Sequence, residues 1–278
     1  MTVAVLSAAV AAADTAEPCH ALGTFDVSPE LAADIEGAQI VLVGEVHDNP
    51  HHHCVQAAVS EHVGARALVF EMLTPELADA FDPTLDDAGL DSALAWSERG
   101  WPPLSIYAPV FARARSGAAT VHGAAVERSA TRLAYAEGAA AAFSGDAAAF
   151  GLTEALPDEQ QQQRQTLQFE AHCGAIPVEQ MGGFVEVQRL RDAELASAAL
   201  RALEKGGAPV VVILGNGHAR ADWGVPALIA EAAPDVSVAS IGLSEDDRSG
   251  GMAESFDHVA AYPGVDRGDP CDRFRAQN

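Results

Sequence analysis

Two short runs of branched apolar residues constrain this chain more than anything else in it. Ile40-Val41-Leu42-Val43 stops at Gly44, and Glu45 and His47 follow. Far downstream, Val210-Val211-Val212-Ile213-Leu214 stops at Gly215, and His218 follows. Unbroken apolar runs of this length suit central strands of a parallel sheet covered on both faces. Both runs end in Gly-x-x-His, so the two ends are expected side by side, forming one polar site. A third buried run, Ala67 to Phe70, ends in Glu71. In an open parallel sheet, ligands sit beyond the carboxyl ends of the strands.

The rest of the chain fits that frame. The first strand is expected over Gln39 to Val43. Asn49 and Pro50 suit the N-cap and first position of a helix, which carries Val55, Val59 and Val63 and stops at Gly64. Strand, helix, strand implies a parallel crossover. Further strands are expected over Thr120 to Val126, Pro209 to Leu214, Val236 to Gly242 and Phe256 to Tyr262. A long helix over Gly183 to Lys205 carries an apolar stripe that includes Val187, Leu190, Ala193, Ala196 and Leu200. Trp101 to Pro109 reads as a proline-rich loop leading into a helix over Val110 to Arg115. The glutamines at 160–163 read as a solvated helix face, and residues 244–252 as a mobile acidic loop.

The expected architecture is therefore α/β, a mostly parallel central sheet flanked by helices, with a smaller helical insertion subdomain. Residues 19–278 form a single domain, with helical insertions at about 74–106 and 128–180. Residues 1–18 read as a signal-peptide remnant or a disordered start, because Val3 to Ala13 is short, apolar and alanine-rich. An exported protein follows from that reading.

Forty acidic against 16 basic residues give a formal charge of -24. Nucleic-acid binding is excluded, since it needs a basic footprint, and an anionic membrane surface would repel the chain. Apolar residues make up 49% but aromatics only 6%, so alanine must do much of the helix packing. Cys19, Cys54, Cys173 and Cys271 have no Cys-x-x-Cys spacing, which argues against a zinc ribbon or a thioredoxin-like motif. In an exported chain they suggest two disulfides. Of the three possible pairings, Cys19 with Cys271 and Cys54 with Cys173 is the one expected.

The strand ends supply the candidate chemistry. Glu45, His47, Glu71 and His218 together suit a divalent ion such as zinc, manganese or cobalt. Glu45 could act as a base on a bound water, with His218 as its catalytic partner. Gly44 and Gly215 would let the backbone turn and approach a ligand. His51, His52 and His53 start a helix whose positive end favours the neutral imidazole. A water-exposed helix start is the simpler reading for His52 and His53, whereas His51 is close enough to bind a ligand. His20, His62, His122, His172 and His258 read as surface or core residues. Tyr107 is either a packed tyrosine or a haem ligand. No Walker A loop, Gly-x-Gly-x-x-Gly, Gly-x-Ser-x-Gly or Cys-x-x-Cys-His is present, which disfavours nucleotide cofactors, a serine hydrolase and covalent haem.

Taken in order, several segments resemble one family. They are Val43-Gly44-Glu45-Val46-His47-Asp48-Asn49-Pro50-His51-His52, Val69-Phe70-Glu71-Met72, Trp101-Pro102 with Tyr107, and Arg191-Asp192-Ala193. Leu214-Gly215-Asn216-Gly217-His218, Gly224-Val225-Pro226 and Asp269-Pro270-Cys271 complete the series. The order is similar to that of the ChaN-like haem-binding uptake proteins, in a superfamily with the Tiki proteases, TraB proteins and erythromycin esterases. The resemblance implies an exported bacterial protein linked to an iron-uptake transport system. It also implies haem bound through a tyrosine, for which Tyr107 is the candidate with His51 nearby, and a homodimer. The related enzymes imply the alternative, a divalent-metal-dependent hydrolase using His47, Glu71 and His218 with Glu45 beside them. No Leu-x-x-Cys lipobox precedes Cys19, so a soluble periplasmic form is expected rather than a lipid-anchored one.

Overall fold

A computed structural model describes residues 17–246, 251–269 and 271–272. The expected signal segment, and residues 247–250 of the expected acidic loop, lie outside the described residues. In chain order the strands are β1 (Ile40–Glu45), β2 (Ala67–Phe70), β3 (Thr120–Gly123), β4 (Val210–Gly215), β5 (Val238–Glu245) and β6 (His258–Tyr262). The helices begin with α1 (Glu17–Leu22), α2 (Pro29–Asp34), α3 (Pro50–His62), α4 (Pro75–Asp79), α5 (Asp87–Ala93) and α6 (Leu104–Arg115). They continue with α7 (Arg128–Glu137), α8 (Ala139–Ala142), α9 (Asp158–Ala171), α10 (Met181–Gly206), α11 (Asn216–Ala219) and α12 (Val225–Ala232).

The strands form one parallel sheet in the order β3-β2-β4-β1-β5-β6. All six residues of β1 and of β4 are buried, as their unbroken apolar runs require. β1 pairs with β4 in a register that sets Gly44 opposite Leu214 and Glu45 opposite Gly215. The two Gly-x-x-His ends therefore do lie side by side. The chain leaves β1 toward β2 and leaves β4 toward β5, so the strand order reverses between them. That is where an open α/β sheet offers a crevice for a ligand.

Each face of the sheet has its own core. On one face α3 and α6 cover Val41, Val43, Leu68, Phe70 and Ile213. On the other, α10 packs Ala196, Ala198, Ala199 and Ala202 onto Leu42, Val69 and Val212. Alanine lets this 26-residue helix lie close to the sheet. A third, smaller cluster ties α7 and α8 to α10 through Ala134, Ala139, Leu190 and Ala193. Among the described residues no helix is long and apolar enough to cross a membrane.

Three expectations need correction. The loop before Tyr107 is shorter than expected, because α6 starts at Leu104 and runs through Pro109. Pro109 removes one backbone donor, yet Tyr107, Ala108, Val110 and Phe111 are all buried, and that packing outweighs the lost hydrogen bond. Ser244 and Glu245, expected in a mobile loop, are buried at the end of β5. The disulfides pair Cys19 with Cys54 and Cys173 with Cys271, each with a Cα separation of 5.6 Å. α1 packs on α3, which brings Cys19 to Cys54. The C-terminal segment reaches the end of α9 and so meets Cys173 rather than the N-terminal region.

The core makes a direct prediction. Phe70 is fully buried and its ring stacks on Phe111 at 4.6 Å and 10°. Phe70→Ala is expected to lower unfolding stability by about 3–5 kcal/mol, read as a shifted urea midpoint at unchanged slope.

Candidate functional site

The carboxyl ends of β1, β2 and β4 gather the expected site residues. Glu45 is the deepest of them, with a side chain fully removed from water. A buried carboxylate is costly unless every oxygen is matched, and here both are. His47 Nδ1 lies 2.6 Å from Oε1, and the Tyr107 hydroxyl donates to the same oxygen at 2.7 Å. Gln56 Nε2 donates to Oε2 at 2.6 Å, and His53 Nδ1 stands 3.4 Å from it. Burial alone would raise the Glu45 pKa, but the charge of His53 and the hydrogen bonds from His47 and His53 hold it far below the usual range. Glu45 is thus an anion whose two oxygens already take three hydrogen bonds and an ion pair, which makes it a poor base. Its partners come from α3, α6 and the loop after β1, so it locks those elements together.

The triple histidine departs from expectation. His52 and His53 are completely buried rather than water-exposed. They sit on the face of α3 that packs under the β1 loop, and each is used to brace that loop. Val46 N–H donates to His52 Nδ1 at 2.9 Å, so that nitrogen carries no proton. Burial pushes the His52 pKa down to about 4, in keeping with a neutral ring. His53 Nε2 lies 3.0 Å from the His47 carbonyl, and its ring rests on Tyr107 with centroids 3.7 Å apart. His51 is half-buried, with its Nδ1 3.2 Å from Asn49 Oδ1 and its ring near Phe25. It does not line the cleft described below.

Around Gly215 a second group converges. Glu71 accepts a hydrogen bond from Gly215 N–H at 2.7 Å. His218 Nε2 lies 3.5 Å from the other Glu71 oxygen, and His218 Nδ1 lies 2.5 Å from Asp192 Oδ1. A Cβ on Gly215 would come within 3.1 Å of His47 Nε2 and 3.6 Å of Glu71 Oε2. Glu71 therefore has an imidazole on either side, and each imidazole is oriented by a buried carboxylate behind it. Gly44 and Gly215 serve here by leaving space: Gly44 lies within β1, Gly215 ends β4 and caps α11, and neither has a positive φ. A Cβ on Gly44 would press on Asn216 Oδ1 and the Ile241 carbonyl. Asn216 itself braces β5 by bonding both Leu243 N–H and Leu243 C=O.

The charges in this group are coupled. Burial lowers the His47 pKa, but the Glu45 hydrogen bond and the charges of Glu71, Glu45 and Asp48 raise it to about 9. His218 is raised in the same manner by Glu71 and Asp192, against its burial. Glu71 is buried, which would raise its pKa, but His218 and His47 pull it below the ordinary value. Burial raises Asp192, whose Oδ2 has no hydrogen-bond partner among the described residues. Asp192 was part of a recognised sequence segment but carried no expected role. Nothing in the sequence says that α10 would present it to a strand end.

Of these residues His47, Gly215, Asn216 and His218 floor a cleft of about 830 Å3. Its walls come from α7, α9 and α10 and include Arg132, Tyr135, Gln168, His172, Phe184, Val187 and Arg191. Tyr135 is 40% exposed. Its ring meets Phe184 edge-on at 5.2 Å, and His172 packs on the same Phe184 at 4.5 Å. Among the described residues neither Arg132 nor Arg191 has a carboxylate partner. Tyr107 lies outside this cleft, fully buried, with its phenol held by Glu45 and its pKa pushed far up by burial and that negative charge. As placed, it cannot meet a ligand in the cleft. Tyr135 carried no expected role because it lies in none of the recognised segments, and His172 read as a surface or core residue.

The matching family is described as haem-binding uptake, Tiki superfamily, ChaN, and the match spans residues 31–229. The chain belongs to this family. The fold is also that of ChaN of Campylobacter jejuni, a structure of cofacial haem binding, at a TM-score of 0.64 and 19% identity. That superposition covers 84% of this chain and 91% of that one. Weaker likenesses are the erythromycin esterase EreC in its open conformation and the type III effector HopBA1, each at TM-score 0.43 and 12% identity. They cover 77% and 82% of this chain, and 72% and 88% of theirs. No curated protein matches the sequence.

The site also sets a pH dependence. His47 has a folded pKa of about 9 against an ordinary 6.5. Its protonation stabilises the folded chain fully below pH 6.5, and that contribution is lost as pH rises through 9. The urea midpoint of the wild type is expected to fall across this window. In His47→Gln the fall is smaller, with the part due to His218 remaining. A flat wild-type profile would refute the assignment.

Proposed function

We propose that this protein binds haem in the cleft between α7, α9, α10 and the ends of β1 and β4, with Tyr135 as the iron ligand. One observation carries the reading. An exposed tyrosine stands on an apolar wall of Phe184 and Val187, beside two arginines without a carboxylate partner among the described residues, in a chain of charge -24. Guanidiniums without a carboxylate partner suit two carboxylates at one edge of a planar apolar ligand. The cleft volume lies in the range of small-molecule sites, roughly 300–1,000 Å3. When bound, haem supplies a ferric centre that takes a phenolate and propionates that take arginine hydrogen bonds. This chain supplies the wall, the phenol and the cations.

Membership of the haem-binding family supports the same reading, as does the likeness to a ChaN that binds haem cofacially. Two disulfides favour an oxidising compartment, such as the periplasm of an exported bacterial protein serving iron uptake through a transport system. Leu133 on α7 and Leu167 and Phe169 on α9 are exposed apolar residues on the helices that bear the cleft, and a second copy could cover them in a homodimer.

Hemin titration tests the reading. Tyr135→Phe is expected to remove the tyrosinate-to-iron charge-transfer band and to weaken binding by roughly tenfold or more, about 1.4 kcal/mol. Tyr107→Phe should keep the band. If Tyr135→Phe titrates like the wild type, the cleft reading is wrong.

A second reading is favoured by the floor of the cleft. Glu71, held between His47 and His218, has the form of a hydrolytic acid-base centre, with Glu71 as base and the imidazoles as acids. His47 Nε2 and His218 Nε2, which line the cleft, and Glu71 beside them are the donors left for a divalent ion such as zinc, manganese or cobalt. Glu45 is not among them, because its oxygens are taken. Among the described residues no three such side chains are already set to hold a metal ion. Hydrolysis of p-nitrophenyl esters, with and without added Zn, Mn or Co, should then be lost in Glu71→Gln. No turnover above the Glu71→Gln background under any of these conditions would sink this reading.

A further inference from the structure

α10 opens with Met181-Gly182-Gly183-Phe184, two glycines where a helix gains from other residues. Each costs about 1 kcal/mol relative to alanine inside a helix. The two positions differ sharply in their surroundings. A Cβ on Gly182 would meet only Gln165 Nε2, at an ordinary 3.5 Å. A Cβ on Gly183 would stand 2.5 Å from both Cδ2 and Cε2 of Tyr135 and 2.9 Å from its Cγ. The ring of Tyr135 lies flat in the space that the missing side chain leaves.

The clash could not be relieved cheaply. Cγ is the root of the ring, so a small swing of its far end would not clear it. The helix behind Tyr135 is pinned, because Ala134 is fully buried in the cluster with Leu190 and Ala193 of α10. The ring is also held edge-on by Phe184, the next residue along. With α7 fixed to α10, the tyrosine itself must leave its rotamer.

We infer that Gly183 is a positioning residue for the cleft: its missing Cβ seats the Tyr135 ring so that the phenol faces the ligand, an inference that rests on the haem reading. Phe184 completes the seat from the side. Gly183 acts through Tyr135 and touches no ligand itself.

Hemin titration of Gly183→Ala, Gly182→Ala and Tyr135→Phe, with thermal melts of each, tests it. Gly182→Ala should melt no lower than the wild type and bind hemin with the same affinity and charge-transfer band. Gly183→Ala should weaken hemin binding roughly fivefold or more, because the added methyl forces the Tyr135 ring off its rotamer, and shift or abolish the band. Wild-type binding and band in Gly183→Ala, while Tyr135→Phe loses them, would overturn the inference and leave the haem reading standing. An unchanged band in Tyr135→Phe would overturn both. If Gly183→Ala does not fold, the same change in a Tyr135→Ala chain decides. Recovered folding assigns the clash to Tyr135, and continued failure to fold overturns the inference.

Discussion

The structure depends on a carboxylate with no water. Glu45 closes the central strand, and burying it is tolerable only because both oxygens are matched by His47, His53, Gln56 and Tyr107. Those four partners come from three separate elements. Meeting the charge therefore sets where α3 and α6 sit and fixes the ring of His47 toward the cleft. Removing any one partner would leave a buried anion short of a hydrogen bond, a larger cost than the bond itself is worth.

From that point the site is built outward in order of polarity. Under the β1 loop lies the neutral His52, which braces it. Next comes the pair of imidazoles about Glu71, with Asp192 behind one and Glu45 behind the other. Outermost is an aromatic and cationic wall from the helical insertion. The C-terminal segment adds a clamp of its own. Arg267 bonds both Asp48, beside His47, and the buried Glu245 at the end of β5. The Cys173–Cys271 disulfide then ties this segment to the end of α9, the helix that supplies Gln168 to the cleft and leads into His172.

Much of this was legible before any fold was known. The β1 and β4 strands, the Asn49-Pro50 helix start and the meeting of Glu45, His47, Glu71 and His218 all follow from local signals: apolar runs, a cap and a glycine stop. The errors have a common cause. His52 and His53 read as solvated because their neighbours in sequence are polar, but burial is decided by neighbours in space. Tyr107 drew attention because it lies in a recognisable segment, yet its phenol was already needed by Glu45. Tyr135 has no such segment around it, and its exposure depends on how α7 docks on α10. The cysteine pairing likewise turned on where the C-terminal segment runs.

By itself, the sequence determined the parallel sheet, its central pair of strands and the polar residues at their ends, because those are written in short-range periodicity. Only the tertiary structure decided which of two tyrosines is free to meet a ligand. That choice depends on which phenol is consumed by a buried charge and which lies against a glycine at the edge of a cleft. Neither is a property of the residues adjacent in the chain.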